Sequence, residues 1–117
     1  MMTPRTEQFR VVMPDGLIVE RLPIGTAHRH WRISFVCSGV DFGQGDPPRA
    51  TLFSDEFRGR VSIEAVSGDL DYRGGGIGGG EDEQEVRMNF ADNDTKVIEI
   101  TYHQDGVAVA HEVIELS

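Results

Sequence analysis

The stretch AHRHWRISFVC, Ala27 to Cys37, sets two histidines and two arginines almost side by side in a chain whose formal net charge is −9. Imidazole and guanidinium groups gathered in one place suit two kinds of chemistry. Two imidazoles on the same side of a strand, as in His28-x-His30, stand close enough to share a metal ion. A guanidinium makes planar, paired hydrogen bonds to carboxylates and phosphates. Side chains alternate between the two faces of a strand. Trp31, Ile33, Phe35 and Cys37 therefore fall on an apolar face, and His28, His30, Arg32 and Ser34 on a polar one. Arg32 would repel a cation, which weighs toward an anion or carboxylate over a metal. The plain alternative is a solvated or partner-facing surface whose reverse side is core.

A His-x-His pair seats the metal of cupin-type β-barrels. The glycine spaced before that pair and the glutamate that follows it are both absent here, so the chain does not carry the cupin pattern. Cys37, on the apolar face, is expected to pack as a small hydrophobe. No Cys-His-Asx order marks it as a nucleophile.

A second group lies near the C-terminus. KVIEITYHQDGVAVAHEVIEL reads as a hairpin about Asp105-Gly106, a strong type I′ turn signal. The simplest register pairs Tyr102 with Val109, Ile100 with His111 and Ile98 with Val113. Ile98, Ile100, Tyr102, Val109 and Val113 then make one core face, with His111 among them. Glu99 and Glu112 stand opposite each other on the outer face, beside Thr101 and His103. Facing carboxylates repel unless one holds a proton or a cation sits between them. Such a pair could act as acid and base, but nothing marks a sugar cleft, and a solvated face is the ordinary reading. The ligand- or partner-binding set is thus His28, His30, Arg32, Glu99, His103 and Glu112. No catalytic residue is assigned.

Three acidic turns remain: Asp69 and Asp71 in SGDLDY, the run Glu81–Glu85, and Asp92 with Asp94 in ADNDT. Gathered at one end of a sandwich, Asp69, Asp71, Asp92 and Asp94 could hold calcium, as in C2-like domains. Asp, Asn and Gly are also simply good turn formers. No cofactor is expected beyond such a divalent cation. GGGIGGG contains the Gly-x-Gly-x-x-Gly spacing at Gly74, Gly76 and Gly79. Six glycines in seven residues make that spacing nearly inevitable, and the acids that follow would repel a phosphate.

The elements that must position these residues are strands. No helical period runs through the chain. Apolar residues alternate or sit in short runs, and Gly, Pro, Asn and Asp interrupt them roughly every 8–12 residues, the spacing of an all-β sandwich or barrel. Pro14-Asp15-Gly16 suits a three-residue hairpin loop with Gly16 in the left-handed region. That register sets Met13 against Leu17, Val12 against Ile18, and Arg10 against Glu20 as a cross-strand ion pair. Further strands are read at Trp31–Cys37, Ala50–Phe53, Val61–Val66, Leu70–Tyr72 and Val86–Phe90. Ser38–Arg49 and Arg73–Glu85 read as long loops, the second flexible across Gly74–Gly80 because glycine is the costliest residue to order. The expected fold is a single-domain antiparallel β-sandwich or flattened, jelly-roll-like barrel spanning 1–117, with about 8–9 short strands.

Composition narrows the function. At 117 residues and 38% hydrophobic, one core can close without metals or several disulfides. A single cysteine argues for a reducing, cytoplasmic setting. No apolar run approaches the roughly 20 residues needed to cross a bilayer, and the N-terminus lacks a signal-peptide order. Asp and Glu number 20 against 11 Lys and Arg, ten of them arginine. Such a surface repels nucleic acid. The leading expectation is a small acidic interaction or inhibitor protein of a bacterial or phage-like cytosol, meeting a basic protein surface, with self-association also open. The alternatives are a small cupin- or calycin-like β-barrel enzyme or ligand-binding protein that uses the His28/His30/Arg32 face, and a calcium-dependent ligand- or glycan-binding module.

Overall fold

The computed structural model describes residues 2–4, 6–27, 29–45, 47–54, 57–80 and 83–116. Strands β1 (Met2–Pro4), β2 (Phe9–Val12), β3 (Ile18–Arg21), β4 (Gly25–Ala27), β5 (His30–Cys37) and β6 (Gly39–Phe42) form the first half of the chain. Strands β7 (Ala50–Ser54), β8 (Phe57–Ser67), β9 (Tyr72–Gly79), β10 (Gln84–Ala91), β11 (Val97–Gln104) and β12 (Val107–Glu115) form the second. One sheet runs β1-β12-β11-β8-β7-β6; the other runs β2-β3-β5-β10-β9, with β4 also paired to β5. The pairs are antiparallel except β1 with β12. Two separate sheets face each other, so the fold is an all-β sandwich.

The inner faces follow from period-two patterning. Val19, Ile33, Phe35, Val86 and Met88 from one sheet meet Leu52, Val61, Ile98, Ile100 and Ile114 from the other, all buried. Trp31 stacks on Phe90 with ring centroids 4.4 Å apart. The first hairpin forms in the expected register, Val12 opposite Ile18 and Arg10 opposite Glu20, with Gly16 at φ 99°. Arg10 and Glu20 approach to 4.0 Å at the exposed edge.

Three expectations are corrected. The described residues hold twelve strands rather than eight or nine, because β1, β4 and β6 are short segments recruited by a neighbour. Two of the expected loops are themselves paired: β6 interrupts Ser38–Arg49, and the glycine tract is strand β9, bonded to β10 from Gly79 to Tyr72. Glycine has no side chain to contribute, but its backbone bonds as well as any other, and β10 supplies the partner.

The third correction concerns the last hairpin. Asp105 and Gly106 adopt positive φ of 53° and 77°, as a type I′ turn requires. Gln104 pairs with Val107 and His103 with Ala108, but Tyr102 then pairs with Ala110. Val109 is the extra residue of a β-bulge. A one-residue slip turns every later side chain to the other face. Glu112 therefore lies opposite Ile100 rather than Glu99 and points into the core, while His111 is exposed and Val109 and Val113 are half-buried.

Inside, Glu112 meets Arg21 of β3. Arg21 Nε and Nη2 donate to the two carboxylate oxygens at 2.5 and 2.9 Å, and Tyr102 Oη donates to Oε1 at 3.1 Å. Arg21 Nη1 donates to the carbonyls of Glu7 and Leu22 at 2.9 and 3.0 Å. The side chains of Arg21 and Glu112 are 0% and 1% exposed. A buried charge is tolerated when it is paired and its remaining hydrogen-bonding capacity is met. This cluster meets both conditions and ties one sheet to the other.

Candidate functional site

The polar face of β5 is real, though not all of it is open. His30 and Arg32 are exposed beside buried Trp31, Ile33, Phe35 and Cys37. Ser34 shares their face but is buried; Leu22 continues the β3 pairing beside it, its N–H donating to the Ser34 carbonyl at 3.0 Å. His28 lies outside the described residues. Burial pushes the Cys37 thiol up, against smaller opposing effects of hydrogen bonds with Gly39, Ser38 and Phe53, so the thiol belongs to the core.

Three elements build a cleft of about 430 Å³ around this face. From β4 come Gly25 and Thr26, which pair with Arg32 and Trp31. From β10 comes Asn89, opposite Arg32; Arg32 Nε donates to Asn89 Oδ1 at 2.7 Å. From β9 comes Arg73.

Arg73 reaches the cleft through a second bulge. Gly75 pairs with Met88 and Tyr72 with Phe90, so Arg73 and Gly74 together oppose Asn89. Gly74 takes φ 100° to make the turn. Without the extra residue, Arg73 would sit opposite Phe90 on the core side. The bulge sends Tyr72 inward instead, edge-on to Phe90 at 5.6 Å, and sets Arg73 outside. There Arg73 Nη2 donates to Asp71 Oδ2 at 2.8 Å.

The cleft thus joins two guanidiniums and an imidazole, with Trp31 also in its lining. Among the described residues, Arg32 uses only Nε, so Nη1 and Nη2 have no partner there. A carboxylate or phosphate oxygen is the group these donors suit. Four residues along β5, roughly 13 Å at strand rise, lies Val36. Around it Glu20, Glu83 and Glu85 line a groove of about 530 Å³. The acids of this groove stand beside arginines, Glu20 within 4.0 Å of Arg10 and Glu85 within 3.6 Å of Arg87, while Glu83 adds a further negative charge.

The structure separates the residues expected to act together. Glu99 is on the outer face of the other sheet, opposite Glu64 of β8 and Val113 of β12. His103 lies near Ser62, with Nε2 to Oγ at 3.3 Å, in a shallow hollow with Arg58 and Arg60. Glu112 is structural. The acidic turns spend their polar atoms on the fold: the Asp69 carbonyl accepts from Asn93 Nδ2 at 2.9 Å and from Thr95 Oγ1, and the Asp71 carboxylate holds Arg73. Among the described residues no three of His, Cys, Asp and Glu are placed to hold a metal ion, so Asp69, Asp71, Asp92 and Asp94 do not converge as a calcium site.

Sequence reading passed over Arg73, Asn89 and Thr26. Asn89 alternates with Met88 and Phe90 and could have been found by its period. Arg73 could not, because the bulge decides its face. Among the described residues no helix is long and apolar enough to cross a membrane. No protein-family model, curated protein or solved structure matches the chain.

Proposed function

We propose that this protein is a binding module whose recognition surface is the outer face of the β2-β3-β5-β10-β9 sheet, and that the cleft at His30, Arg32 and Arg73 receives an anionic side chain or chain terminus of a protein partner. The supporting observation is the cleft itself: guanidiniums of two non-adjacent strands brought together, one by a bulge, in a chain of net charge −9. That overall charge repels free anions, which favours an anionic group delivered by a partner with basic surface of its own. The groove at Glu20, Glu83 and Glu85 is the complementary seat for a basic side chain. The fitting segment is extended and carries a basic and an acidic residue four positions apart.

The test is a chemical-shift titration of the labelled protein with an extended peptide of that pattern and with peptides bearing only its acids or only its bases. The mixed peptide is expected to bind best and to shift amides of β5, β10 and β9. Arg32→Gln and Arg73→Gln should each weaken it about tenfold or more, since a hydrogen bond to a charged group contributes about 1.5–3 kcal/mol. Shifts confined to the other sheet, or affinity unchanged in both variants, would overturn the proposal.

A further inference from the structure

β9 ends its sheet, with β10 on one side only. It is eight residues long, against four each for the edge strands β2 and β6 and three for β1. A long edge presents a row of backbone N–H and C=O groups that recruits another strand, and sheets usually guard such an edge with charge, proline or brevity. Gly75–Gly79 carries no such guard, and Ile77 within it is exposed. Gly75 and Gly79 are crowded by backbone of β10 and its turn, but a Cβ on Gly76 would meet nothing within 4 Å, in backbone any residue can adopt. Nothing within one chain calls for glycine at that position, so residue 76 is open to substitution as a probe of this edge.

The order of charges along β9 selects the neighbour. Arg73 stands at one end. At the other, Gly80 N–H donates to the Glu83 carbonyl at 2.9 Å, and Glu85 pairs with Gly78. Asp71 balances Arg73 at the first end and Arg87 lies 3.6 Å from Glu85 at the second, where Glu83 leaves the surplus negative charge; a parallel copy of β9 would set that surplus beside its own kind. An antiparallel copy about a two-fold through Gly76 sets Arg73 of each chain across from Gly79 of the other, toward Glu83 and Glu85. It also sets Ile77 across from Gly75, where there is no side chain to clash with it. A self-complementary contact of this kind closes as a two-fold dimer. We propose that two copies of this chain pair antiparallel through β9, joining their β2-β3-β5-β10-β9 sheets into one continuous sheet with both clefts on its outer face.

Sedimentation of the full chain from low micromolar to near-millimolar concentration tests this. The wild type should pass from monomer to dimer. Gly76→Lys brings two ammonium groups together at the axis and should be monomeric throughout, with unchanged circular dichroism and the melting temperature of the dilute, monomeric wild type. Ile77→Lys repeats the test should the first variant fold poorly. Val12→Lys, on the opposite edge strand β2, should dimerise as the wild type does. Gly76→Cys should yield a disulfide-linked dimer under mild oxidation, since residues facing across an antiparallel pair have Cα atoms about 4.5–5.5 Å apart, within disulfide reach. A wild type that stays monomeric overturns the proposal. So does a dimer that survives in the folded lysine variants of β9, or one that dissociates with Val12→Lys.

Discussion

Replacing Glu112 with glutamine removes the charge that faces Arg21 inside the sandwich while keeping the size of the side chain. In the wild type, Glu112 accepts from Arg21 Nε, Arg21 Nη2 and Tyr102 Oη. The amide retains one acceptor oxygen and places an NH₂ group against the guanidinium, donor to donor. Arg21 is then a buried cation with no counter-charge. Removing one member of a buried pair costs about 3–5 kcal/mol, out of a total stability of about 5–15 kcal/mol for a domain of ordinary stability. Urea unfolding followed by the fluorescence of Trp31 reads the loss directly, with an unchanged slope against urea showing that the same surface is still exposed. Arg21→Met should lose a similar amount through the stranded carboxylate. The double variant Arg21→Met/Glu112→Leu should be more stable than either single one, because no charge is then buried alone. A Glu112→Gln protein within about 0.5 kcal/mol of wild type, a shift typical of an ordinary surface change, would refute the placement of this residue in the core.

Tyr102 makes stability fall in alkali. Burial and the neighbouring Glu112 carboxylate hold its phenol far above the ordinary value near 10, outweighing the opposite effect of Arg21. The folded state therefore keeps its proton after the unfolded chain has lost it. Stability is complete below about pH 10 and declines above it by about 1.4 kcal/mol per pH unit; Tyr102→Phe, compared by urea unfolding at each pH, should lack that slope. Gly74→Ala meets no neighbour but sits at φ 100°, so it should cost roughly 1–2 kcal/mol from backbone strain alone and weaken peptide binding by turning Arg73, whereas Gly76→Ala should leave unfolding of the monomer unchanged. Deleting Val109 removes the extra residue while Tyr102 can still pair with Ala110 and Ile100 with Glu112, so Glu112 should stay inside; circular dichroism should remain that of a folded sandwich, with the thermal melt cooperative. Trp31→Ala, which strips the partner stacked on Phe90, should cost about 3–5 kcal/mol in urea unfolding, and wild-type emission should be that of a buried indole.

What was legible in the chain was everything governed by local period and turn chemistry. Alternation through Trp31–Cys37 set the core face of β5, and Pro14-Asp15-Gly16 and Asp105-Gly106 set two hairpins, because those turns demand particular φ values that few residues supply. The face on which a strand's side chains lie beyond a bulge was not legible. A bulge adds one residue to one strand, and nothing in the order of residues near Val109 or Arg73 announces it. What decides it is packing at long range: Glu112 is inside because Arg21 of β3 is there to meet it, and Tyr72 is inside because Phe90 offers it a ring. Those two slips move a carboxylate from the supposed binding face into the core and lift an arginine from the core side into the cleft. The glycine tract follows the same logic. Its composition speaks for a loop, yet β10, the next strand of the chain, gives its backbone a partner, which the glycines themselves do not announce.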